Sequence, residues 1–227
     1  MTQQGEHMSM TTTIFIIGTP GSGKSTAARY IRQRLQQYGR LTRHVNDYTI
    51  LYAMFLEDIH HRHFQPTSNN GFDAIDLSVL DIALHEVEKE VERQHGEVDI
   101  CTIEFARDDY QQAIKQFTPA FLRDAHVLFI DSELETCLQR VHHRVNNMHT
   151  GDDHPSFSDD IFRQYYRKDN RPYILHQMRN EFHLKGDIIV IENKASLDHF
   201  LEQIEQFISL FLPHEVPTIC SLSIQAD

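Results

Sequence analysis

The sequence predicts an α/β domain: a five-stranded parallel sheet with helices on both faces. Three observations lead there. Strand-like and helix-like segments alternate along the chain, with no internal repeat and no low-complexity tract. Five of these segments have strand length and are separated by helices, and parallel strands need such crossover connections. The 227 residues are 40% hydrophobic and include 14 Phe, enough for one core of ordinary domain size.

The first strand is Thr13 to Gly18, and a helix follows from Lys24 to about Tyr38, where Gly39 punctuates it. "RLTRHVND" reads as a short second strand ending at Asp47. Helical spacing of Ile50, Met54, Phe55 and Ile59 comes next, then a polar gap, "QPTSNNGFD". Leu77, Leu80, Ala83, Leu84, Val87 and Val91 share one face of a long helix that Gly96 ends. The third strand is "VDICTIEF"; a helix, or a helix pair broken near Pro119, leads to the fourth, "HVLFID". Ser132 and Glu135 read as a capping box opening a helix whose buried stripe is Leu134, Leu138, Val141 and Val145. The loop-like "HTGDDHPSFSDD", a helix "DIFRQYYRKDN", a fifth strand "DIIVIEN" and an amphipathic helix from Ser196 complete the pattern.

Between the first strand and first helix stands "GTPGSGKS", which matches G-x-x-x-x-G-K-[ST] in the strand–turn–helix setting this phosphate cradle requires. Its glycines let backbone N–H groups turn toward phosphate oxygens, and the helix N-terminus adds positive potential. Gly18, Thr19, Pro20, Gly21, Ser22, Gly23, Lys24, Ser25 and the adjoining Thr26 therefore form the candidate triphosphate site. Lys24 is placed to reach the β- and γ-phosphates, and Ser25 to offer its hydroxyl to Mg²⁺.

The cradle, the five strand segments and the cap-rich loop between the fourth and fifth strands resemble the P-loop kinases of the nucleoside-monophosphate-kinase-like superfamily over about residues 12–212. The resemblance implies sheet order 2-3-1-4-5, an acceptor-binding insertion at about 48–96 and a lid at about 146–172, between a flexible residue 1–11 segment and an unassigned 213–227 tail. It implies an ATP- and Mg²⁺-dependent phosphotransferase acting on a small-molecule, nucleoside or nucleotide acceptor. The alternative is an ATP-binding regulatory or assembly module with little or no phosphotransfer.

Phosphoryl transfer needs positioning and charge neutralisation, and in such sheets ligands lie at the carboxyl ends of the strands. Asp47 ends the second strand: similar kinases place an acid there as acceptor ligand or base, whereas a helix N-cap is the structural reading. Glu104 closes the third strand, where it meets the magnesium shell or acts as base on the acceptor hydroxyl. Arg107 is a partner for Glu104 or for a substrate anion. Arg140 and Arg144, four apart on one helix face, match where similar kinases neutralise the transferring phosphoryl group; Arg163 and Arg167 repeat the spacing and read as substrate ligands, and for both pairs a solvated helix face is the alternative. Asn193 sits in the loop that packs the nucleotide base in similar proteins, or simply in a turn. Phe72, Tyr52 and Phe64 stack on an acceptor ring or pack in the core, and the length of their insertion points to an acceptor larger than a bare sugar or to a homodimer surface.

Net charge of -12 opposes binding to long nucleic acid and to anionic membranes. Three Cys without metal-like spacing fit a reducing compartment, and no segment reads as a signal peptide or membrane span, so the expected location is cytoplasmic. His60, His61 and His63, and His142, His143, His149 and His154, are two clusters in which surface histidines compete with a metal reading.

Overall fold

The computed structural model describes residues 11–67, 71–146 and 159–212, without the side chains of 145 and 146. The expectations for residues 1–10, for the tail and for the middle of the lid, including His149 and His154, lie outside the described residues.

Strand β1 (Thr12–Ile17) runs through the middle of the main sheet, and Ile14, Phe15, Ile16 and Ile17 are all 0% exposed. A strand with no polar face must be covered on both sides, and its alternating side chains divide between two cores. The chain continues through α1 (Lys24–Gln37), β2 (Thr42–Asn46), α2 (Asp47–Glu57), a hairpin of β3 (Phe64–Pro66) and β4 (Phe72–Ala74), and α3 (Ser78–Arg93). Then come β5 (Ile100–Phe105), α4 (Tyr110–Ile114), α5 (Pro119–Leu122), β6 (His126–Asp131), α6 (Leu134–Asn146) and α7 (Asp159–Tyr165). Finally α8 (Arg171–His176), α9 (Met178–Phe182), β7 (Ile188–Glu192) and α10 (Leu197–Ile208) close the domain.

The main sheet is all parallel with order β2-β5-β1-β6-β7. Counted within that sheet alone this is second-third-first-fourth-fifth; the hairpin inside the insertion adds the two extra strand numbers. Phe15 and Ile17 face the core built with α3, α4, α5, α8 and α9, while Ile14 and Ile16 face the one built with α1 and α10. Each fully buried apolar side chain of this size contributes about 1.5–3 kcal/mol of transfer free energy.

Four local expectations are corrected. The segment "QPTSNNGFD" holds a strand pair: β3 and β4 are antiparallel, with Phe64 opposite Ala74, Gln65 opposite Asp73 and Pro66 opposite Phe72. Three-residue strands are too short to show a period-2 pattern. Asp47 does not cap α2; Asn46 does, its Oδ1 accepting from the Tyr48 N–H at 2.9 Å, which leaves the Asp47 carboxylate to point elsewhere. Ser132 and Glu135 do not close a capping box, because the Ser132 hydroxyl donates to the Asn193 carbonyl (3.3 Å) and the Glu135 carboxylate accepts from Arg163 (2.8 and 3.0 Å). The stretch 171–182, given no element from sequence, forms α8 and α9, each too short to show a helical stripe.

Candidate functional site

The cradle turns from the end of β1 into α1 through Gly18, Gly21 and Gly23, all at positive φ. At Gly21 (φ +84°) a Cβ would stand 2.3 Å from the Cys137 carbonyl oxygen, and at Gly23 (φ +112°) 2.7 Å from Asn193 Nδ2. Both the conformation and the close approach therefore exclude a side chain. The turn is braced from three directions. From below, the Gly18 N–H donates to the fully buried Tyr110 hydroxyl (2.7 Å), and Asn170 fixes Tyr110 by accepting from its backbone N–H (3.1 Å). From the β7 side, Asn193 Nδ2 donates to the Ser22 carbonyl (2.7 Å). From α6, Arg140 reaches the Gly21 carbonyl, the Ser132 hydroxyl and the Asn193 carbonyl at 3.3–3.4 Å. Tyr110→Phe leaves the buried Gly18 N–H unpaired and should cost about 1–3 kcal/mol of stability, measured by urea unfolding.

Candidate side chains from these elements converge on one cavity of ≈ 630 Å³ lined by the cradle, the start of α2, the hairpin, the end of β5 and α6. Asp47, Glu104 and Arg107 line it while keeping only 5–6% exposure. β5 sits between β1 and β2, with Glu104 paired in register with Ile16 and Asn46, which sets its carboxylate beside α1. Glu104 Oε1 accepts from Ser25 Oγ at 2.8 Å, and Oε2 lies 3.6 Å from His44 Nε2. Lys24 Nζ donates to the Thr19 carbonyl (3.1 Å). Burial lowers the Lys24 pKa below its ordinary value, against the pull of the Glu104 and Asp47 carboxylates, and the nearby Arg144 charge lowers it further. An arriving phosphate would offset that cost of burial.

Arg107 pairs with Asp47 (2.5 Å) rather than with Glu104, and it also donates to the carbonyls of Ala106 and Leu80 (2.7 Å each). Burial works against its charge, but the Asp47 carboxylate more than compensates and holds the guanidinium pKa above its ordinary value. Arg144 lines the cavity, and its charge acts on Lys24 and on Tyr48. Arg163 and Arg167 are not brought to this cavity. Arg163 pairs with Glu135 and Asp159 on the exposed face shared by α6 and α7, and Arg167 lines a separate surface hollow with Asp108 and Lys168. Of the three insertion aromatics, Phe72 lines the cavity, Phe64 is buried in a small core with Leu51, Val79 and Ala83, and Tyr52 is 40% exposed. His63 pairs with Asp76 (2.8 Å) and His142 with Asp159 (2.6 Å); among the described residues no group of three or more His, Cys, Asp or Glu gathers as a metal site. Among them, too, no helix is long and apolar enough to cross a membrane.

Sequence reasoning missed Tyr110, Asn170, His44, Tyr165 and Tyr166, the last two lining the cavity over α7. Only the doubled tyrosine within the expected lid offered a signal.

The parallel sheet and its braced cradle define a P-loop fold. The chain belongs to the family described as AAA domain, whose model matches residues 14–163. Among solved structures, it is similar to the Mycobacterium tuberculosis APS kinase CysC in complex with AMPPNP and APS (15% identity, TM-score 0.53, 89% of this chain and 98% of that one). It is likewise similar to Chaetomium thermophilum Kti12 in complex with ADP-AlF3 (14%, 0.53, 88% and 100%) and to the Acinetobacter baumannii shikimate kinase in complex with shikimate (15%, 0.50, 90% and 94%). At these identities the likeness is one of fold. No curated protein matches the sequence.

Proposed function

We propose that the protein is an ATP- and Mg²⁺-dependent phosphotransferase that moves the terminal phosphoryl group of ATP to a hydroxyl of a small molecule. One observation carries the reading: a buried carboxylate, Glu104, hydrogen-bonded to the cradle hydroxyl of Ser25, faces the same cavity as Lys24 and Asp47, with room beside them for a second substrate. Solved structures of similar fold named as APS kinase and shikimate kinase support it.

The Ser25 hydroxyl and the Glu104 carboxylate are hard oxygen donors, the type Mg²⁺ takes, and both stand at the cradle, so these residues fit the ion. When bound, the ion neutralises charge on the phosphates. The chain's own work is positional. Backbone N–H groups from Gly21 to Thr26 and the Lys24 ammonium hold the triphosphate, while Arg144 balances charge on the transferring group. A carboxylate, Glu104 first, accepts the acceptor hydroxyl proton as the new O–P bond forms and the bond to the β-phosphate oxygen breaks. Arg140 is engaged with the back of the cradle, so its contribution is to hold the loop in shape.

A second reading, an ATP-binding regulatory or assembly module, has one observation behind it: Arg107 already holds Asp47, which removes one of the two carboxylates from ready use. ADP release with Mg²⁺ over a panel of hydroxylated acceptors separates the two. One acceptor raising ADP formation at least about tenfold supports transfer; ATP binding without stimulation by any acceptor favours the module. In either case Lys24→Ala should weaken ATP binding about ten- to hundredfold in a calorimetric titration, because a charge-assisted phosphate contact is lost.

A further inference from the structure

The side of the cavity formed by α2 and the hairpin is aromatic. The Phe72 ring stacks on Phe55 (centroids 5.0 Å, 19° between planes) and on Tyr48 (5.5 Å, 24°), and Tyr48 stacks on Tyr52 (6.1 Å, 12°). Phe72 and Tyr48 both line the cavity, flanked by the aliphatic side chains of Leu51, Ile75 and Leu80. Two polar side chains interrupt this surface, Gln65 and Asp73, which also line the cavity and stand directly opposite each other across the hairpin. Cross-strand partners in an antiparallel pair share a face, with Cβ atoms about 4.5–5.5 Å apart, so an amide and a carboxylate are presented side by side. Among the described residues neither side chain makes a hydrogen bond, and Asp73 Oδ1 is shut off from solvent without a partner. Burial pushes the Asp73 carboxyl pKa up.

The charges on this side are mixed. Lys24 and Arg29 belong to α1 and Arg140 to α6, while Arg144, also on α6, extends its charge to Tyr48. Arg107 remains, and its guanidinium is engaged by Asp47 and by the Leu80 and Ala106 carbonyls. An acceptor carrying its own phosphate here would set that charge against Asp73 and Asp47.

We propose that this half of the cavity binds a planar heteroaromatic ring bearing N–H donors, joined to the hydroxyl that is phosphorylated: an unphosphorylated nucleoside, its ring laid along Phe72 and its edge read by Asp73 and Gln65. The inference rests on the phosphotransfer reading for the fate of the hydroxyl and narrows the acceptor to one chemical class. Asp73 accepts a ring N–H. The Gln65 amide, both donor and acceptor, pairs with the neighbouring ring position. Aromatic stacking tolerates different rings, so the two polar side chains set which ring is preferred.

The test is a calorimetric titration onto the 227-residue chain saturated with ADP and Mg²⁺, using nucleosides, their 5′-monophosphates, ring-free polyols and a nucleoside whose ring N–H is methylated. A nucleoside should bind saturably and more tightly than its 5′-monophosphate. Asp73→Leu should weaken it about ten- to hundredfold, since a hydrogen bond to a carboxylate is lost. The methylated ring should bind wild type and Asp73→Leu within about twofold of each other, an equality that a merely structural role for Asp73 would not produce. Gln65→Ala, at an exposed position, supplies a second variant should Asp73→Leu fail to fold, and it should weaken the nucleoside several-fold. Absence of nucleoside binding, tighter binding of the monophosphate or of a polyol, or unchanged affinity in both variants overturns the inference. Nucleoside binding without ADP formation from ATP rejects phosphotransfer and leaves ring recognition standing; phosphorylation of a ring-free acceptor does the reverse.

Discussion

Glu104→Gln should lower acceptor-dependent kcat by about 10²–10⁴-fold while ATP affinity stays within a few-fold of wild type, because general-base assistance contributes on that scale. The substitution is nearly isosteric. Gln retains a carbonyl oxygen that can accept from Ser25 Oγ, so the 2.8 Å contact and the buried packing at the end of β5 survive. What disappears is the charge and the capacity to take a proton. Asp47 is poorly placed to substitute, since its carboxylate is held at 2.5 Å by Arg107. Steady-state kinetics as a function of Mg²⁺ separate two roles for the same carboxylate. If Glu104 acts mainly through the ion, the Mg²⁺ concentration for half-maximal rate rises in the variant and excess Mg²⁺ restores much of kcat. If it acts on the acceptor hydroxyl, kcat stays low at any Mg²⁺ concentration. A variant that retains wild-type kcat at ordinary Mg²⁺ would remove the carboxylate from the chemistry altogether.

The parts of this site that can be read in the sequence are the ones built locally. "GTPGSGKS" carries its own turn, its own helix start and its own lysine, all within eight residues, so strand, cradle and helix fall where the pattern puts them. Glu104 is legible because an acid that closes an apolar strand is buried only if it is paired or put to chemical use. Contacts between distant segments are not legible. The Tyr110 hydroxyl meets the Gly18 N–H across 92 residues, and Arg107 meets Asp47 across 60, and in each case several partners nearer in the chain compete for the same role. Three residues separate Arg107 from Glu104, which makes them natural partners by sequence, but on an extended strand and the loop after it that spacing does not bring side chains together. The sheet order sets β5 beside β2 and so delivers Arg107 to the first residue of α2. The hairpin is silent for a related reason. With three residues per strand its stability comes from Phe64 and Phe72 packing on α2 and α3, a tertiary cause that leaves no periodic trace.

The Asp47–Arg107 pair makes the largest stability prediction. Arg107→Met should destabilise the fold by about 3–5 kcal/mol, read from urea unfolding, because it removes one partner of a buried pair and strands the other. Met fills part of the volume, so the loss is chiefly electrostatic, with the Leu80 and Ala106 carbonyls also deprived of their donor. Against a domain stability of about 5–15 kcal/mol this is a large fraction. Asp47→Asn should cost less, since the amide oxygen can still accept from the guanidinium. Combining it with Arg107→Met should recover part of the single-variant loss, because the stranded charge is gone; contacting residues are expected to be non-additive in this way. The cycle bears on function as well as on folding. A coupling of several kcal/mol would mean that Asp47 is committed to Arg107 in the resting protein, so that it serves the acceptor as a fixed hydrogen-bond acceptor while Glu104 takes the proton. A coupling near zero would mean that water screens the pair inside the cavity, leaving Asp47 available as a base, and the proton-accepting role would then have to be divided between the two carboxylates.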